Sequence, residues 1–179
     1  MLKITIPAGE QFNELNSIFI STKECTIQLE HSLVSISKWE SKWCKPFMSK
    51  KEKTFEETID YVRCMTITQN VDPNVYLFIS NNNIDEINKY VEAPMTASWI
   101  TKRNETKSNE QITSELIYYW MISLNIPFEC QKWHLNRLLM LIEIINAKNQ
   151  PTNKMSKKDI LRRNAELNAK RRKSANTAG

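Results

Sequence analysis

With 179 residues the chain can bury a core without disulfide or metal staples, and 41% hydrophobic and 25% charged residues place it among ordinary globular proteins. Only Gly9 and Gly179 are glycine, so phosphate-cradling loops and dinucleotide-binding turns, which need repeated glycine, lose support. The net charge of +5 is unevenly spread: from Lys148 onward there are ten basic and two acidic residues, leaving 15 basic and 18 acidic in the first 147.

This asymmetry reads as a body, 1–147, opened by a β-hairpin region at 1–31, with a basic linker and tail helix at 148–179. The fold class expected is mainly α with α+β character: a helical body, a small N-terminal antiparallel β-sheet and a C-terminal basic helical tail. Met1 to Pro7 holds no apolar run of signal-peptide length, and no window approaches the roughly 20 apolar residues of a membrane span, so a cytoplasmic protein without membrane contact is expected. Cys25, Cys44, Cys64 and Cys130 are irregularly spaced, which predicts free, partly buried thiols.

Along the chain, Leu2 to Ile6, Ser17 to Ser21 and Cys25 to Leu29 alternate as strands do. Two or three such strands are marginal alone and must pack on something helical. From Ser32, a plausible N-cap, Leu33, Ile36, Trp39 or Glu40, and Trp43 recur at helical spacing until Pro46. Thr54 with Glu57 forms a capping box, and Phe55, Ile59, Val62 and Thr66 follow on one stripe. Asp72-Pro73 marks a helix start before the apolar Val75 to Ile79, where a strand reading stays open. Asn83 is read as capping a helix whose face is Ile84, Ile87, Tyr90 and Val91, ending before Pro94; Thr101 to Asn109 reads as a loop.

Ile112 to Leu124 is apolar on nearly every side, which predicts a central helix, broken at Asn125-Ile126-Pro127. A second long helix is expected from about Phe128 to Ala147, with Leu135, Leu138, Leu139, Ile142 and Ile145 on one face, the two forming an antiparallel pair. Asn149 to Asn153 reads as a linker. Ser156 with Asp159 then opens a weakly amphipathic helix to about Lys173, marginal alone and expected to fold fully against a partner.

No residue set is assigned a catalytic, metal-binding or cofactor-binding role. Cys130 and His134, four apart, would share a face of one helix, but zinc needs two further ligands and a nucleophile pair needs an orienting group; packed thiol is the ordinary reading. Glu56 with Glu57 and Asp85 with Glu86 are adjacent and point about 100 degrees apart on a helix, so they read as first-turn charges facing the dipole rather than as an acid–base pair. Tyr118, Tyr119, Trp120, Phe128 and Trp133 fit core packing first, a protein interface second, and base stacking last, because no basic residues are interleaved with them.

Several strings carry a resemblance: Leu29 to Glu40, Tyr118 to Ile122 leading into Asn125 to Glu129, Trp133 to Leu139, Met155 to Lys158 and Asn164 to Asn168. Through them the chain resembles, from Leu2 to its C-terminus, proteins of the tailed-bacteriophage tail-gene module described as tail assembly chaperones. The resemblance implies a non-enzymatic protein of the host-cell cytoplasm that binds tape-measure and tail-tube proteins during virion tail morphogenesis. Self-association stays open. The expected partner-binding residues are Lys157, Lys158, Arg162, Arg163, Lys170, Arg171, Arg172 and Lys173. The alternative reading is a nucleic-acid-binding or head-to-tail connector protein acting through the same basic arm, and the bland reading of the arm is a solvated helix.

Overall fold

The computed structural model describes residues 1–13, 17–49, 51–98, 111–149 and 157–175. The chain is mainly helical with a small antiparallel β region, and its contacts divide it into two units, Met1–Asn146 and Ala147–Gly179.

The first unit opens with four strands, β1 (Leu2–Ile6), β2 (Gly9–Asn13), β3 (Ile18–Thr22) and β4 (Cys25–Leu29). β1 pairs with β4 and β2 with β3, from Leu2 opposite Leu29 to Asn13 opposite Ile18 without a change of register. They are therefore one long hairpin, interrupted at Pro7, which has no N–H to donate. β2 has no strand signature of its own; Gly9-Glu10-Gln11 is extended because β3 lies across from it.

At the base of the hairpin Ile4, Ile6, Ile27 and Leu29 are buried on one face, with Leu2 and Cys25 at its margins. Both edges are covered, as an isolated two-stranded ribbon requires. Along β4, Glu30 N–H donates to the Met65 carbonyl (2.9 Å), Ile67 N–H to the Gln28 carbonyl (2.9 Å) and Gln28 N–H to Thr68 Oγ1 (2.8 Å). Along β1, Asn83 Nδ2 donates to the Thr5 carbonyl (3.2 Å). At Gly9 the Phe78 ring lies where a β-carbon would stand.

Helix α1 (Leu33–Trp43) starts at Ser32 through a reciprocal cap with Ser35 and ends at Cys44, which adopts the left-handed conformation at φ 51°. It buries Leu33, Ile36, Trp39 and Glu40, and packs against α2 (Phe55–Met65), which opens with the expected Thr54–Glu57 capping box. Trp39 Nε1 donates to the Glu57 carbonyl (2.9 Å) and Trp43 Nε1 to Asp60 Oδ2 (2.9 Å), while Lys42 pairs with Asp60 and Lys45 with Glu57, each at 2.5 Å. Phe55 departs from the expected stripe: at the first helical position it faces solvent, 74% exposed.

A 3-10 helix, Pro73–Phe78, begins at Asp72, whose side chain accepts from Asn74 N–H (2.8 Å). In α3 (Asn81–Glu92) the cap is Ser80 rather than Asn83: Asn83 sits at the third helical position and closes a reciprocal cap, the part usually taken by Glu or Gln. That shift places Asp85 and Glu86 beyond the first turn, so the reading of them as first-turn charges fails.

Helix α4 (Ser114–Ser123) is not central. Only Ser114, Ile117 and Met121 are buried, while Tyr119 (63%) and Ile122 (60%) face outward. The expected long helix from Phe128 is two elements, a 3-10 helix Phe128–Lys132 and α5 (Leu135–Asn149). The break has a non-local cause: Leu135 N–H donates to the His31 carbonyl (2.7 Å), and Ser32 and His134 form a bridge, so the backbone at 133–135 pairs with another segment. Nor do α4 and α5 form the expected antiparallel pair. The hub is α1, which packs on α2, α4 and the second 3-10 helix.

The second unit contains α6 (Lys157–Ala175). Of the expected linker, Asn149 is helical, as the last residue of α5; the remainder, the loop at 101–109 and the Ser156 cap lie outside the described residues.

Candidate partner-binding surface

Helix α6 carries eight basic and two acidic residues, and every one of its side chains that the structure describes is exposed. The seven expected contact residues from Lys157 to Arg172 therefore all present their charge to solvent; the Lys173 side chain lies outside the described set. Arg162 Nε meets Glu166 Oε1 at 3.4 Å across one turn, an exposed pair that contributes little. Ile160 (44%), Leu161 (70%) and Leu167 (42%) are exposed as well. Ile160, Asn164, Leu167 and Arg171 follow at alternating four- and three-residue spacing, so they share one line of the helix, with Leu161 and Asn168 beside it. Two large apolar residues on that line, interrupted by Asn164 and Arg171, make a seam too thin to hold a helix alone.

Among the apolar side chains that the body leaves uncovered, two groups stand close to other exposed apolar residues. At the hairpin tip the rings of Phe12 (47%) and Phe19 (75%) meet at a tilt with centroids 5.0 Å apart, with Ile18 (53%) on the other face. This surface was not foreseen, although the unbroken Ile18-Phe19-Ile20 run is its signal: three apolar residues on a strand put apolar groups on both faces. The second group lies on α4, with Tyr119 and Ile122. In the aromatic group around it, Phe128 is exposed, whereas Tyr118, Trp120 and Trp133 are half-buried; Tyr118 donates to Gln131 Oε1 (2.9 Å) and the Arg137 guanidinium lies 4.2 Å from the Trp133 ring.

Cys130 and His134 do not share a helix. Cys130 is buried in the second 3-10 helix, where burial, with the nearby Glu129 charge, pushes its thiol up. His134 precedes α5, its Nε2 donating to the Tyr90 carbonyl (3.0 Å) and its Nδ1 accepting from Asn136 N–H (3.3 Å). Both ring nitrogens are engaged by backbone groups. Cys64 borders a surface cavity of about 340 Å³ lined by Val34, Lys38, Met65, Ile67 and Lys132. Burial, then Asp60, raises its thiol too, so neither cysteine is poised as a thiolate. Among the described residues no group of three or more His, Cys, Asp or Glu side chains converges as a metal site would require, and no helix is long and apolar enough to cross a membrane.

Comparison with models of protein families, with curated proteins and with solved structures finds no match.

Proposed function

We propose that the chain is a non-enzymatic assembly chaperone of bacteriophage tails, whose body is a folded platform and whose helix α6 captures a long helical client, the tape-measure protein, with tail-tube subunits as further partners. The observation that carries the reading is the state of α6: a helix with eight basic residues, an incomplete apolar seam and no buried side chain among those described. Such a helix gains stability from a second helix that completes the seam and answers the charge, which favours an acidic, amphipathic client. The string likeness to tail-module proteins supplies the client's identity.

The basic residues lie all round α6 rather than on one side, which favours a second reading, phosphate contact by a nucleic-acid-binding or connector protein. A pull-down from phage-producing cells, comparing the full chain with one ending at Asn149, separates the two. The buried core lies wholly before Asn149, so the shortened chain keeps it. Tape-measure or tail-tube protein recovered after nuclease treatment, and lost on truncation, supports the chaperone reading. Nucleic acid alone, lost on truncation and released by moderate salt, overturns it.

A further inference from the structure

The two histidines of this protein, His31 and His134, are both buried, at 2% and 5% exposure, and their rings meet edge to face with centroids 5.0 Å apart. They lie where five segments converge. His31 follows β4, and its Nδ1 is 2.5 Å from Tyr61 Oη on α2, which is 3.4 Å from Ser35 Oγ on α1. An assignment that uses each proton once runs from His31 Nδ1–H to Tyr61, from Tyr61 to Ser35, and from Ser35 to the Ser32 carbonyl (2.7 Å). His134 is the N-cap of α5: its carbonyl accepts from Arg137 N–H (3.0 Å) and Leu138 N–H (3.1 Å), and its Nδ1 accepts from Asn136 N–H. Because Nδ1 accepts, Nε2 carries the proton that goes to the Tyr90 carbonyl at the end of α3. Asn136 Nδ2 extends the same join to the carbonyls of Val91 (3.1 Å) and Ala93 (2.8 Å).

We infer that this histidine pair is a proton-operated latch, and that protonation of His134 releases the start of α5 from α1 and α3 while the hairpin and α1 stay folded. A proton on Nδ1 would oppose the Asn136 N–H it now accepts, removing the cap. It would also set a positive charge at a helix N-terminus, where the dipole disfavours it, and beside the His31 ring. Burial outweighs the groups that favour a charged ring, the Tyr90 carbonyl on Nε2 first among them. From the end of β4, the Glu30 carboxylate favours a charged His134 but is engaged by Tyr90 Oη of α3 (2.7 Å) and the Met1 ammonium (3.2 Å), and that ammonium disfavours the charge. From α2 come Tyr61 and, beyond it, Cys64, both held neutral by burial. The Arg137 guanidinium of α5 lies over Trp133. Burial depresses both histidines, and His31 further because His134 is its neighbour.

The test is amide hydrogen exchange of the full chain, corrected for intrinsic rates, from about pH 7.5 to about pH 5, with the histidine ring protons followed by NMR over the same range. Protection at Asn136, Arg137 and Leu138 is expected to fall by about tenfold or more beyond any loss at the β1, β4 and α1 amides. His134→Asn, which retains a capping acceptor but cannot take the proton, is expected to remove that pH dependence. Loss of equal size over the whole body, or an excess loss at these three amides that persists in His134→Asn, overturns the latch. Should that variant not fold, the wild-type data decide: a His134 ring that titrates in step with the α5 amides supports the latch, and one that titrates with those amides unchanged refutes it.

Discussion

Glu40 offers the most direct check of how the body is held together, because one buried carboxylate on α1 serves two distant backbone donors. Its Oε1 accepts from Phe47 N–H (2.7 Å), fixing the chain after α1, and its Oε2 accepts from Ser114 N–H (2.7 Å), the first residue of α4. Thr113 Oγ1 takes the Leu116 N–H (3.4 Å), so two of the orphan donors of α4 are met, one by its own cap and one by α1. Glu40→Ala leaves both amides without an acceptor. An unsatisfied donor costs about 1 to 3 kcal/mol, the upper end applying to the buried Ser114 amide, and together they come to about 3 to 5 kcal/mol. Glu40→Gln keeps one acceptor oxygen but turns an NH2 group toward the other amide, so it should cost about half as much. Urea unfolding at neutral pH, followed by tryptophan fluorescence, reads both as shifts in midpoint at constant slope. If both variants unfold within about 0.5 kcal/mol of wild type, water replaces the carboxylate at these amides and α4 is not fastened through Glu40.

Acid should weaken the body before carboxylates titrate. A base whose folded pKa lies below its unfolded value favours the folded state above the unfolded value; His31, depressed by burial and then by His134 from 6.5 to about 3, loses that contribution as pH falls across this interval. The loss is about 3 kcal/mol by about pH 4, measurable as a falling urea midpoint from about pH 6.5 down to that point, and a flat profile there contradicts the burial of His31. Gly9→Ala places a methyl where the Phe78 ring now lies and is expected to cost about 1 to 3 kcal/mol, partly recovered by Phe78→Leu; a neutral Gly9→Ala would show that β2 is not pressed against the 3-10 helix. Phe55→Ser should change stability by less than about 0.5 kcal/mol, despite the helical spacing that aligns Phe55 with Ile59 and Val62, because its ring is solvent-facing; a loss of about 2 kcal/mol in thermal unfolding would contradict that placement.

What could be read in the chain beforehand follows from the range over which each feature is determined. The caps of α1 and α2 were legible because Ser32 with Ser35, and Thr54 with Glu57, are decided within four residues. Ser80 was passed over for Asn83 because either side chain suits a cap, and the choice falls to the reciprocal bond between them. The division of Phe128 to Ala147 was not legible, because Leu135 N–H is taken by His31, on another segment. The same distance hides the histidine pair, which has no spacing rule and exists only once the β4–α1 and α5 joints close. Helix α4 is the intermediate case. Its apolar content was plain, but burial depends on how many neighbours arrive, and with α1 as its main contact the Tyr119 and Ile122 side chains remain outside. The basic arm was legible for the opposite reason: its charge is a property of composition and requires no tertiary neighbour to be seen. On the proposed function, a partner would meet two kinds of surface. Charge on α6 can act at a distance and set the rate of encounter, whereas the uncovered apolar groups of the hairpin tip and α4 contribute only in direct contact. If both serve one client, added salt should slow its association while substitutions at Phe19 or Ile122 should hasten its release.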